Sequence, residues 1–201
     1  MSSKQSSSLL RMTVVLGAIC IISALLLAGG YVITADRIAD AAMHAKVEAI
    51  QAVAPAFDNN PLGEAIEVPQ RGGKKPLTFY PARKDGKLVG GAVESYSMDG
   101  FSGEIVVMYG FDADGKVTGY SVLSHAETPG LGAKMDEWFR SSTGHRSVVG
   151  SDPAVRKMTV AKDGGDIDAI TAATITSRAF LGALRSAHAT FIKERDKINK
   201  Q

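Results

Sequence analysis

The chain has 201 residues, 45% of them hydrophobic, with 23 basic against 21 acidic side chains and a net charge of +2. No basic block interleaved with aromatics is present, which excludes the usual footprint of nucleic-acid binding. Cys20 is the only cysteine, so there is no internal disulfide and no thiolate cluster. His44, His125, His145 and His188 are scattered without metal-ligand spacing.

Met12 to Ile33 runs without a charge, long enough to cross a hydrocarbon core as a helix. This predicts a short N-terminus at 1–11 and a transmembrane helix at 12–33. A cleaved signal peptide is the alternative, given Lys4 and Arg11 before the run and Ala28, Gly29 and Gly30 near its end. The run exceeds the ~7–15 residues of a signal-peptide core, and no clean A-x-A site directly follows it. Lys4 and Arg11 place residues 1–11 in the cytoplasm by the positive-inside tendency, and the remaining domain outside. Arg37 and Lys46 beyond the span are offset by Asp36, Asp40 and Glu48.

From Ala35 to Ala54, Ile38, Met43, Val47, Ile50 and Val53 form a helical stripe that ends at Pro55, and the stripe reads as core packing. Pro61, Gly63, Pro69, Gly72 and Gly73 then mark an irregular connection. Residues 34–76 are thus stalk and connection, and 77–201 the folded domain. Leu77–Ala82, Leu88–Ser95, Glu104–Phe111 and Val117–Ser124 read as strands, with Asp-Gly turns at Asp85-Gly86 and Asp114-Gly115. Met135–Phe139 is a short helix candidate with Trp138 in the core, and Val155–Ala161 a further strand. From Ser177 to about Lys197, Phe180, Leu184, Ala187 and Phe191 recur as one buried helix face requires. The fold class is α+β: a single N-terminal transmembrane helix, then an antiparallel-sheet domain with a C-terminal helix.

Two segments invite chemistry. Asp168-Ala-Ile-Thr171-Ala172-Ala173-Thr174-Ile-Thr176-Ser177 sets hydroxyls among alanines just before the last helix. Thr176 falls near the predicted N-cap, where unpaired N–H groups and the helix dipole favour an anion. Threonines that merely cap the helix are the plain alternative. In His125-Ala-Glu127-Thr128-Pro129-Gly130-Leu131-Gly132-Ala-Lys134, Pro129 stiffens the loop, the glycines let backbone approach a flat ring, and Leu131 offers apolar contact. An ordinary turn before a helix is the alternative here. Val160-Ala-Lys162-Asp-Gly164-Gly165 reads as a strand end and turn, and an exposed surface lysine is as good a reading of Lys162. Asp99-Gly100-Phe101-Ser102-Gly103-Glu104-Ile105 alone is a turn between strands.

Together these segments, in this order, resemble the signatures S/T-G-A-T-x-S/T, E-T-P-G-L-G and G-Y-x-G-x-I of the FMN-binding domain family, from roughly Leu77 onward. Within it the chain resembles the G subunit of Rnf electron-transport complexes, which are ion-translocating ferredoxin:NAD oxidoreductases. The C subunit of the Na+-translocating NADH:quinone oxidoreductase is the near relative. The resemblance implies FMN joined as a phosphoester to Thr176 by a dedicated flavin transferase that recognises Asp168. Thr171, Ala173 and Thr174 match other positions of that signature. Glu127, Thr128, Gly130, Leu131 and Lys162 would shape the ring site. Ala172 stands where the family usually has glycine, a strained substitution if a positive φ is needed. The implied role is an electron carrier in a bacterial inner membrane, its domain on the periplasmic side. Its partners would be membrane lipid and the other subunits of an electron-transport complex. No nucleophile and base are assembled for independent catalysis, and a span without an ionisable residue offers no ion path. The flavin-bearing component of the quinone reductase and a non-redox membrane-anchored binding module remain the alternatives.

Overall fold

A computed structural model of the chain describes residues 2–70 and 73–200, with side chains from Leu10 onward. The chain divides into two units between His44 and Ala45. The first is helix α1 (Ser2–Val53) as far as His44. Its apolar side chains are exposed all round, Leu27 at 76% and Ile33 at 79%. A window of mean hydropathy 2.5 makes this helix long and apolar enough to cross a membrane.

The second unit is built on a five-stranded antiparallel sheet in sequence order. Its strands are β1 (Ile66–Val68), β2 (Leu77–Lys84), β3 (Lys87–Gly100), β4 (Gly103–Asp112) and β5 (Val117–His125). The two-residue periodicity of β4 sorts the layers. Ile105, Val107, Tyr109 and Phe111 face the main core, and Met108 faces the opposite side. On that side Ala49, Ile50 and Val53, the last turns of α1, pack with Tyr80, Ala92 and Met108. On the other, helix α3 (Thr174–Ile198) buries Phe180, Ala183, Leu184, Ala187 and Phe191 against the sheet. The result is an α+β domain, as the patterning predicts.

Phe180 centres the main core. It stacks on Phe139 at 4.4 Å between centroids and meets Tyr120 and Tyr109 edge-on at 4.9 and 5.4 Å. The buried Tyr109 hydroxyl donates to the Phe180 carbonyl at 2.8 Å, and Tyr120 donates to the Met135 carbonyl at 2.7 Å. Burial pushes the Tyr120 phenol up to about 12, so both rings remain neutral donors.

Four expectations need amendment. Val155–Ala161 is not a strand. Asp152 draws it into a turn, its carbonyl accepting from the Val155 and Arg156 N–H groups, and the Asp166 carboxylate takes the Lys157 N–H. Only Val160 makes a β-bridge, parallel to Ile167. Strand β1 lies inside the segment read as irregular connection, too short to show a period. Trp138, at the end of helix α2 (Met135–Trp138), is half-buried. Its indole N–H donates to the Asp168 carbonyl at 2.9 Å, and the Arg146 guanidinium covers its ring at 3.8 Å. Helix α3 starts at Thr174, three residues before the periodicity becomes apparent.

Truncating Phe180 to alanine should cost about 3–5 kcal/mol, read as a drop in the unfolding midpoint of the detergent-solubilised chain. A second expectation concerns acid. His188 on α3 packs against Phe111, and its Nε2 is buried without a partner. Burial lowers its pKa; Asp152 opposes this weakly and Arg195 adds to it. The unfolded chain therefore binds the proton more readily than the folded one, and stability should fall as pH drops below about 6.5. Melting curves at neutral and mildly acidic pH should show this loss reduced in His188→Phe.

Candidate functional site

Helix α3 opens at an N-cap, Ala173, whose side chain supplies no capping hydrogen bond. Ser177 secures the helix start instead: its hydroxyl donates to the Ala173 carbonyl and accepts the Ile170 N–H, both at 2.9 Å. Within the helix the Ser177 N–H is the first to find a carbonyl, that of Ala173 at 3.1 Å. The N–H groups of Thr174, Ile175 and Thr176, in the first helical turn, are left without intrahelical acceptors, as at any helix start. Thr176 is thus the third residue of the helix and not its cap.

The two chemical segments converge here. A cleft of about 310 Å³ is lined by Phe101, Glu127, Thr128, Leu131, Gly132 and residues 172–176, which puts it at the small end of ligand sites. The Thr176 hydroxyl donates to Glu127 Oε2 at 2.7 Å, and Glu127 Oε1 accepts the Ser102 N–H at 3.0 Å. The Glu127 N–H in turn donates to His125 Nδ1 at 3.1 Å. One carboxylate therefore joins the β3–β4 turn, the loop after β5 and the start of α3. Both partners are deep, Thr176 at 1% exposure and Glu127 at 5%.

Glycine is required where the backbone presses on this pair. A Cβ on Gly132 would lie 2.7 Å from Thr176 Oγ1, and one on Gly100 would lie 2.8 Å from Glu127 Oε1. Around the polar floor the rim is apolar and open: Phe101 is 69% exposed, Ile175 47% and Leu131 41%. Glu127 is the one charged residue lining the cleft, and no cation pairs with it among the described residues.

Of the residues singled out from sequence, Glu127, Thr128, Leu131, Ala173, Thr174 and Thr176 line this cleft. Gly130 does not; it turns the loop at φ +75°, and the Thr128 carbonyl closes that turn on the Leu131 and Ala133 N–H groups. Thr171 is exposed beside the cleft, and Lys162 is exposed on a short 3₁₀ turn (Ala161–Asp163). That turn is tied to α3 by the Arg178–Asp163 pair at 2.7 Å. The Asp168 carboxylate accepts the His145 N–H at 2.8 Å. Sequence reasoning did not single out Phe101, Ile175 or Gly100 as site residues, and it read Gly132 as a close backbone approach to a ring and not as room for a carboxylate. The turn motif holding Phe101 was the available signal for the first. The glycines' role depends on a carboxylate that only the fold brings near.

Ala172 adopts φ +61°, the left-handed region in which a Cβ is strained. The position is exposed, so packing does not demand the alanine.

Comparison with known proteins is consistent with this geometry. Residues 100–189, which include every residue lining the cleft, match the family described as FMN-binding domain. The chain is 39% identical over 140 residues to the G subunit of the ion-translocating oxidoreductase complex of Vibrio parahaemolyticus, covering 68% of this chain and 65% of that protein. Against the corresponding protein of Aliivibrio fischeri it is 37% identical over 166 residues, 78% of each chain. Against that of Vibrio cholerae it is 33% identical over 181 residues, 86% of this chain and 85% of the relative.

Replacing Ala172 with glycine should relieve the left-handed strain and raise stability by up to about 1 kcal/mol, net of glycine's added freedom in the unfolded chain. Chemical denaturation of the two proteins side by side measures the difference.

Proposed function

The chain belongs to the G-subunit family of ion-translocating oxidoreductase complexes, and from that premise we propose that it is a membrane-anchored electron carrier bearing FMN on Thr176. Its FMN-binding domain makes it an electron-transfer flavoprotein component of such a complex. Attachment through the phosphate, insertion in the membrane and the outward-facing domain belong to the proposal.

The observation that carries it is the convergence of the threonine motif and the Glu127–Gly132 loop on one cleft at the start of α3. The residues fit a flavin mononucleotide. Free N–H groups in the first turn of α3, at the positive end of the helix dipole, suit a phosphate. The rim of Phe101, Leu131 and Ile175 suits a flat apolar ring. When bound, FMN supplies reversible electron transfer. The chain's own residues then have separate duties. Thr176 offers the hydroxyl for the phosphoester. Gly100 and Gly132 keep the floor clear, and the apolar rim keeps water from one side of the ring. Gly130 shapes the loop that carries Leu131 and Thr128 to the cleft. Thr171 and Thr174 border the attachment point, and Lys162 would reach toward the ring from the neighbouring turn.

Asp168 is assigned to recognition by a flavin transferase, in a segment already held in shape by Trp138 and His145. A covalent link suits a compartment where free flavin is scarce, because it keeps the local concentration high whatever the intrinsic affinity.

The apolar helix is the membrane anchor, with the span at residues 12–33, a stalk and connection at 34–76 and the FMN-binding domain at 77–201. Lys4 and Arg11 hold the N-terminus in the cytoplasm of a bacterial cell, and the domain stands on the periplasmic side. With no Asp, Glu, Lys, Arg or His from Met12 to Ile33, this span carries no ion by itself, and translocation falls to other subunits.

Intact-mass and peptide-mass analysis of the full chain, co-expressed with a flavin transferase, tests the attachment. An increment of one FMN less one water should map to the peptide holding Thr176 and vanish in Thr176→Ala, whereas Thr171→Ala and Thr174→Ala should retain it. Covalent flavin persisting in Thr176→Ala would move the attachment elsewhere. No flavin in any folded chain would favour a non-redox binding module.

A further inference from the structure

We propose that Glu127 is the catalytic proton acceptor for flavin loading, taking the hydroxyl proton of Thr176 as the phosphoester forms. The inference rests on the attachment at Thr176 argued above and goes beyond it by assigning part of the chemistry to the acceptor chain itself.

An alcohol is a weak nucleophile at neutral pH, and it attacks phosphorus efficiently only when a base within hydrogen-bond reach receives its proton. Several hydroxyls lie in the motif. Thr171 and Thr174 have no side-chain hydrogen bond among the described residues, and that of Ser177 is saturated by backbone at Ala173 and Ile170. Thr176 alone donates to a carboxylate, at 2.7 Å. That contact selects one acceptor from a run of chemically similar side chains.

The carboxylate is arranged for more than packing. It is 5% exposed, yet no lysine or arginine neutralises it among the described residues. Burying a carboxylate that lacks a cation is costly, so a purely structural position would be better served by a neutral side chain. Its two oxygens face different donors: Oε1 is held by the Ser102 N–H at 3.0 Å, which leaves Oε2 aimed at Thr176. Gly100 and Gly132 clear the room it occupies.

A free phosphate monoester does not condense with an alcohol in water, so the flavin must arrive as a phosphoric anhydride, a flavin dinucleotide held by the transferase. The Thr176 Oγ–P bond forms as the anhydride P–O bond breaks. The nucleotide monophosphate leaves, and the hydroxyl proton passes to Glu127 Oε2. Nothing is oxidised or reduced.

The test is the rate of flavin loading, followed by intact mass, on the full chain in detergent with purified transferase and flavin dinucleotide across a pH series. Glu127→Gln preserves the size of the side chain, and its amide oxygen can still accept from Ser102, but it takes no proton. Loading at Thr176 should fall by about a hundredfold or more, and any decline in rate toward acidic pH that the wild type shows should flatten. A Glu127→Gln rate within about threefold of wild type at every pH overturns the proposal and leaves the attachment at Thr176 intact. Wild type that takes up no flavin at Thr176 defeats the attachment instead. Should melting curves show Glu127→Gln unfolded, Glu127→Asp decides the matter. Its carboxylate is drawn back by one methylene, so a comparable loss supports the proposal and a wild-type rate overturns it.

Discussion

The seating of Phe180 between the sheet and Phe139 sets the rotation of α3, and the site depends on that rotation. Residues four apart share a helix face. The stripe that buries Phe180, Leu184, Ala187 and Phe191 therefore turns Thr176, four residues before Phe180, toward the same interior. Ser95 adds a second restraint from β3, its hydroxyl donating to the Ala183 carbonyl at 2.9 Å. With α3 held in both ways, Thr176 cannot swing to the surface by simple rotation of the helix. The hydroxyl meets Glu127 because the core has already chosen the helix's orientation.

The same packing explains the division within the cleft. Its floor, Thr176 and Glu127, is a buried polar pair given room by glycine, and its rim, Phe101, Ile175 and Leu131, is apolar and open. A buried hydrogen bond between an uncharged donor and an unpaired carboxylate adds little net stability. Exposed aromatic and aliphatic side chains add none. Neither part of the cleft is thus explained by the needs of folding, whereas the surrounding core is.

Much of the fold was legible because it rests on short-range rules. Period-two alternation and Asp-Gly turns mark β2 to β5, and the Phe180–Phe191 stripe marks α3. What escaped has physical reasons. β1 spans Ile66–Val68, too short for a period, and its strand state comes from pairing with β2. Val155–Ala161 has the composition of a strand, but the Asp152 carbonyl and the Asp166 side chain capture its first backbone donors. In the site, Thr176 and Glu127 stood out separately, while their hydrogen bond spans 49 residues of sequence and no local pattern encodes it. The positive φ of Ala172 was foreseeable only as a condition on that position, and the structure meets the condition.

The order of the strands bears on when such a site comes into being. A meander pairs each strand with its neighbour in sequence, so the sheet closes through short loops, the contacts that cost least chain entropy. Docking of α3 joins far more distant segments, Ser95 to Ala183 and Glu127 to Thr176. A chain whose sheet has formed but whose last helix is loose carries every residue of the motif and none of its geometry. The hydroxyl and its carboxylate come together only once α3 has docked on the sheet, so their pairing doubles as a mark that the last helix is in place.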